Sequence, residues 1–333
     1  MKLLDQPEYQ FLRTNPHLGR NIIFLTYGGS HAYGTNVEGS DIDIRGCTLN
    51  SRADLLGTGT FEQMVDTKTD TTIYAFNKLL ALLISCNPNT IELLGCKPEH
   101  YLVLTPIGRQ LLEQRKMFLS RRAIRSFGGY AGQQLRRLEN ALARDVYPDE
   151  VKERHIMLSC ENTVFTFPER CRGFTPEQIR LSIVEVDGRP QVAADISMEK
   201  VPLRILTGMI RELVEITRNY DTLHHRNRKK DDAHLNKHAM HLMRLYFMCL
   251  DILERGEIIT YRAAEHGLLM DIRSGRYQKE DHTFRPEFYD LLNDLEQRLD
   301  YAGKHTSLPE EPDLARIEAF QMEINERVVR DEI

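Results

Sequence analysis

Tyr27-Gly28-Gly29-Ser30-His31-Ala32-Tyr33-Gly34-Thr35, followed by Gly39-Ser40-Asp41-Ile42-Asp43-Ile44-Arg45-Gly46, is the stretch that decides how this chain is read. An apolar run, Ile22-Ile23-Phe24-Leu25, feeds into the Gly-Gly-Ser turn. A short polar segment then leads to a second β-branched run that carries two aspartates one residue apart. Strand residues two apart share a face, so a strand over 41–48 presents Asp41 and Asp43 side by side and turns Ile42 and Ile44 into a core. Carboxylates that close repel unless a cation lies between them, and hard oxygen donors suit Mg²⁺ or Mn²⁺. Gly29 and Ser30 lack the bulk that would keep backbone N–H groups from a phosphate. A phosphate cradle and a pair of metal carboxylates about ten residues apart in sequence imply phosphoryl-group chemistry. The bland alternative for Asp41 and Asp43 is a strand edge kept soluble by charge.

Length and charge narrow the field. The chain's 333 residues can hold one large domain or two ordinary ones. A hydrophobic content of 41% and a charged content of 28% are those of a soluble globular protein. No apolar run approaches the roughly 18–20 residues of a membrane span, and the first residues show no signal-peptide pattern. Six dispersed cysteines without a Cys-x-x-Cys pair argue against zinc or a disulfide framework, so a reducing cytoplasm is expected. The glycine stretch is neither Gly-x-Gly-x-x-Gly nor a Walker loop, which disfavours a dinucleotide oxidoreductase. A net charge of −5 excludes a globally basic nucleic-acid binder but not a local groove. Basic residues concentrate between 109 and 137, including Arg121, Arg122, Arg125, Arg136 and Arg137, and again at Arg226, Arg228, Lys229 and Lys230. Either cluster reads equally as a solvated surface.

Along the chain, strands are expected over 22–27 and 41–48, with β-rich runs at 61–65 and 71–74. Helices are expected over 77–86, twice between 107 and 145, then over 149–164, 202–219, 234–256, 285–304 and 312–332. Residues 1–20 read as a preface. Alternation on either side of Asp187-Gly188 predicts a β-hairpin near 180–198.

Gly29-Ser30 followed by Asp41-x-Asp43 on the next strand resembles the signature of the DNA polymerase β nucleotidyltransferase superfamily. Asp70-Thr-Thr-Ile-Tyr74, Asn87-Pro88-Asn89-Thr-Ile-Glu92, Phe118-Leu-Ser-Arg-Arg, Phe127-Gly-Gly-Tyr130 and Lys237-His-Ala-Met-His241-Leu-Met-Arg244 resemble a bacterial and phage branch of it linked to RNA repair. The resemblance implies an α+β fold. Its nucleotidyltransferase core, a small mixed sheet with helices in residues 1–105, carries Asp41 and Asp43 on a central strand, and a larger mainly helical domain in 106–333 holds the hairpin. It also implies a third metal carboxylate on a later strand, for which Asp70 is preferred over Asp66. Lys237, His241 and Arg244, spaced along one helix face, would grip the triphosphate; without the resemblance they read as a solvated or bridging face. The expected reaction moves a nucleoside monophosphate from an NTP to a hydroxyl, with an RNA end as the preferred acceptor. A protein hydroxyl and a non-catalytic nucleotide- or RNA-binding module are the alternatives.

Overall fold

The computed structural model describes residues 3–145, 149–170, 174–199, 201–221 and 232–333. Its first turns, which include α1 (Phe11–Thr14), bury Tyr9, Leu12 and Leu18 against Ile22, Leu25, Ile44 and Ile73. Residues 3–20 therefore line one side of the core and are not a preface. β1 (Ile22–Tyr27) runs into α2 (Gly29–Tyr33), and β2 (Ile44–Thr48) comes next, then α3 (Arg52–Leu56), β3 (Gln63–Asp66) and β4 (Thr71–Ala75). The sheet order is β3-β4-β2-β1, completed by β5 (Tyr101–Leu104) on the far edge of β1. β2 pairs parallel with β4 and antiparallel with β1, so the sheet is mixed and β2 is its middle strand.

The strand expected over 41–48 begins only at Ile44, so Asp41 and Asp43 stand in the segment that leads into the central strand and not on the strand itself. The ladder on one side ends where β1 gives way to α2, with a last bond from Gly28 N–H to the Asp43 carbonyl at 2.9 Å. On the other side it starts at the bond from Ile44 N–H to the Asp70 carbonyl, 3.2 Å. Ile42 still packs on the apolar core and Ile44 is fully buried within it. The edge strand β5 carries no alternating pattern, and the sequence gives no sign of it.

α4 (Phe76–Ile84) buries Leu79, Leu80 and Leu83 and stops before Cys86, whose φ is +54°. The Asn87 side chain then caps α5 (Pro88–Ile91) by accepting the Asn89 N–H. α6 (Pro106–Glu113) and α7 (Arg122–Asp145) are the two helices expected between 107 and 145. α8 (Asp149–Arg170) is followed by the hairpin of β6 (Ile179–Val186) and β7 (Arg189–Ile196). Asp187 and Gly188 both have positive φ, +52° and +74°, as a two-residue type I′ turn demands. α9 (Leu203–Asp221) and the hairpin pack on α8 through Val164, Phe167, Ile179 and Met209. The chain closes with α10 (Asp232–Arg255), α11 (His266–Arg273), α12 (Pro286–His305) and α13 (Leu314–Val329).

The chain divides into two compact units. One comprises Met1–Gln133, Met240–Arg273 and Pro286–Ile333, and includes the five-stranded sheet. In it, α13 lies on α4, with the Phe320 and Phe76 rings edge to face at 5.8 Å. The other comprises Gln134–Ala239 and Ser274–Arg285 and contains the hairpin. Among the described residues, no helix is long and apolar enough to cross a membrane.

Candidate active site

The parallel register of β2 and β4 sets the geometry. Ile44 pairs with Thr71, so Asp43 and Asp70, each one residue earlier, enter the sheet side by side. Arg45 shares Asp43's face and closes the set. Its Nη2 lies 3.5 Å from Asp43 Oδ1 and 3.0 Å from Asp70 Oδ1, and its Nη1 donates to the Asp70 carbonyl. Asp70 takes a positive φ of +44°, a conformation Asp tolerates better than most residues.

The glycine turn stands directly over this group. Gly29 opens α2 with φ +50°, and a Cβ there would lie 1.9 Å from Asp43 Oδ2. A Cβ on Gly28 would lie 2.9 Å from the Arg45 side chain. Any side chain at Gly29 would therefore collide with the Asp43 carboxylate, so glycine here makes room for an acid. Ser30 is the next residue of α2, half-buried. Asp41 is exposed and comes after a turn in which Ser40 Oγ accepts the Val37 N–H at 2.9 Å. Asp66 is used otherwise. Its Oδ1 accepts N–H bonds from Lys68 and Thr69 and the Thr69 hydroxyl, all within 3.1 Å, and those bonds, led by that from the Thr69 N–H, hold its carboxyl below the usual range.

The comparison with known families covers the segment that carries this glycine turn, Asp43 and Asp70. Residues 6–157 match the profile of RlaP, the RNA repair pathway DNA polymerase beta family. This part of the chain, a little under half of it, is similar to that family. No curated protein and no solved structure matches the chain. The five-stranded mixed sheet and the helices around it are consistent with a polymerase β-like core.

Behind the glycine turn of this polymerase β-like core lies a buried polar clamp. The Tyr33 hydroxyl donates to Glu92 Oε2 at 2.5 Å, and the Arg244 guanidinium stacks on the Tyr33 ring at 3.4 Å, with Nη2 3.9 Å from Glu92. Burial pushes the Glu92 carboxyl above its ordinary range, opposed by Arg244, by the Tyr33 hydrogen bond and by Arg45. The Tyr33 carbonyl also accepts the Arg262 N–H at 3.1 Å. This clamp fixes the C-terminal end of the helix that Gly29 starts. Arg273 fixes the loop beyond that helix, donating to the Thr35 carbonyl at 2.5 Å and to Ser40 Oγ at 3.4 Å. Nothing in the sequence marks Arg273, which lies 238 residues from Thr35.

The expected triphosphate grip is dispersed among three environments. Arg244 is buried against Tyr33 and Glu92. His241 is half-buried, edge-on to the Tyr130 ring at 6.0 Å. Lys237 is exposed and belongs to the second compact unit. Of the basic residues, Arg121 and Arg122 pair with Glu310 and Glu311, while Arg125 is exposed. The side chains of Arg136 and Arg137, and all of Arg226, Arg228, Lys229 and Lys230, lie outside the described residues.

Among the described residues, no three His, Cys, Asp or Glu side chains are grouped as a metal site. The donors at the turn nonetheless fit a hard divalent ion in kind: they are carboxylate oxygens, and Asp43 and Asp70 already share one cation, the Arg45 guanidinium.

Proposed function

We propose that this chain transfers a nucleoside monophosphate from an NTP to a hydroxyl at an RNA end, releasing pyrophosphate, with the catalytic core in residues 1–105. The observation that carries the reading is the β2–β4 register, which sets Asp43 beside Asp70 under Gly29. The printed description of the matching family, an RNA repair pathway, supports RNA as the acceptor.

Gly29 and Ser30 bind the triphosphate through backbone N–H groups and the Ser30 hydroxyl. Asp41, Asp43 and Asp70 would hold Mg²⁺ or Mn²⁺, which would supply charge compensation on the phosphates and acidify the attacking hydroxyl. Asp70 is the third carboxylate because it already faces Asp43 across Arg45, whereas Asp66 is committed to its own turn. Arg45 holds the two acids together against their mutual repulsion and adds positive charge where phosphate oxygens arrive. The Tyr33–Glu92–Arg244 clamp keeps α2 in place, so that the glycine turn meets the substrate preorganised.

Incubation with each α-labelled NTP, a divalent salt and a pool of RNA acceptors tests the reading. Wild type is expected to label RNA. Asp43→Asn and Asp70→Asn are each expected to lose at least about a hundredfold in rate while unfolding at the wild-type midpoint. Undiminished labelling by the double variant would disprove the assignment, and label entering protein instead of RNA would disprove the acceptor.

A further inference from the structure

Away from the glycine turn, the first turn of α7 borders a cavity of about 630 Å³ in the same compact unit. Its wall is Arg121, Arg122, Arg125, Ser126 and Ser85, and across it stand Glu310 and Glu311. Three guanidinium groups within five residues, at the positive end of a 24-residue helix, form an anion site by charge and by dipole. Two of its three cations already hold anions. Arg121 Nη1 meets Glu310 at 3.0 Å, and Arg122 Nη2 meets Glu311.

Those two carboxylates are not needed to keep their own segment in place. The segment is anchored on either side by backbone bonds, from Arg121 N–H to the Pro309 carbonyl at 2.8 Å and from Asp313 N–H to the Met117 carbonyl at 2.9 Å. The Glu310 and Glu311 side chains are 77% and 56% exposed, so both can swing into water without disturbing packed atoms. The arginines, by contrast, are oriented from behind: Arg121 Nη2 donates to the Thr306 carbonyl at 3.2 Å and Arg122 Nη1 to the Ile84 carbonyl at 3.2 Å. Each guanidinium has five N–H donors, more than its carbonyl and carboxylate partners here use, and both residues line the cavity. Arginines oriented by backbone carbonyls and paired with exposed carboxylates describe a site whose present occupants are exchangeable.

We propose that this pocket seats phosphates of the acceptor RNA strand, and that Glu310 and Glu311 are internal carboxylates which the RNA displaces. Guanidinium forks match phosphate oxygens as they match carboxylates. A chain of net charge −5 repels a phosphate backbone at long range, so RNA needs a concentrated local seat of this kind. The inference rests on the RNA-acceptor reading above, and it adds a prediction of opposite sign to ordinary salt-bridge loss: removing the acids should help.

The test is equilibrium binding of a labelled single-stranded RNA oligonucleotide, without NTP, across a range of salt concentrations. The near-isosteric Glu310→Gln/Glu311→Gln pair is expected to bind RNA roughly three- to tenfold more tightly than wild type, the range set by two part-exposed ion pairs. Arg125→Gln is expected to weaken binding and flatten the salt slope by about 0.7, one phosphate contact on a single strand. Unfolding midpoints of all variants within error of wild type keep the comparison free of folding effects. Unchanged or weaker RNA affinity in the Gln pair overturns the proposal, as does an unchanged slope in Arg125→Gln. Competition by inorganic phosphate separates the two sources of the anion: tightening seen for inorganic phosphate but not for RNA overturns the RNA assignment. If wild type transfers nucleotide yet binds no RNA, the acceptor reading falls as well; if it binds RNA indifferently to these variants, the pocket alone falls.

Discussion

Gly29 and Asp43 compete for one small volume, and that competition makes the glycine indispensable. Alanine there would need a positive φ and would put its methyl group inside the Asp43 carboxylate. Gly29→Ala is therefore expected to displace Asp43 and to lower nucleotide transfer about a hundredfold, the scale of a 1 Å misplacement at a reacting centre. Steady-state transfer to RNA, measured beside a denaturation curve, checks it; full activity would show that Asp43 does not need its observed position. The local part of this site could be read from the sequence, because Gly29, Ser30, Asp41 and Asp43 lie within fifteen residues of one another and β1 leads straight into their turn. Arg45 follows Asp43 by two residues, so strand alternation alone places it on the same face, but its second partner is not legible in the sequence. Contact with Asp70 depends on a strand pairing, and Arg273 on a helix 238 residues away from the loop it holds.

At the scale of elements, the turn between β3 and β4 carries Asp70 and leads into the strand whose pairing with β2 brings Asp70 to Asp43. Asp66 caps this turn through three hydrogen bonds and pairs with Thr71 across the hairpin. Because its folded-state pKa is depressed, Asp66 contributes stability that is present above the unfolded carboxylate value of about 3.9 and is lost as pH falls through the lower folded value. Asp66→Ala should thus be least stable relative to wild type near pH 7, and the gap should close below about pH 4. Urea midpoints taken at several pH values between those limits decide it; a gap independent of pH would remove the carboxylate from the account. Elements with strong periodicity or a specific turn were legible: β1, the helix stopped at Asn87-Pro88, and the Asp187-Gly188 hairpin. β2 proved shorter at its start and β5 went unseen. In both cases the ladder partners decide where a strand exists, and those partners are remote in sequence.

At the scale of the whole molecule, the end of the chain returns to the beginning. α13 covers α4, and Phe320, 3% exposed, meets Phe76. Phe320→Ala should cost about 3–5 kcal/mol, the range for emptying an aromatic site in a core, and should lower the unfolding midpoint of the unit that carries Asp43 and Asp70. A loss near zero, measured by denaturant titration, would mean that α13 is only loosely held. The sequence by itself determined the glycine turn with its acids and most helices, since each depends on spacing over fewer than about twenty residues, while the class of the core followed from the family resemblance of its motifs. Only the tertiary structure decided that Asp70 stands beside Asp43, that Arg244 turns inward to a buried Glu92, and that Arg121 and Arg122 hold the acids of a segment nearly 190 residues further on. Those facts arise from long-range pairing and burial, and short-range pattern carries no record of which distant residue will share a cavity.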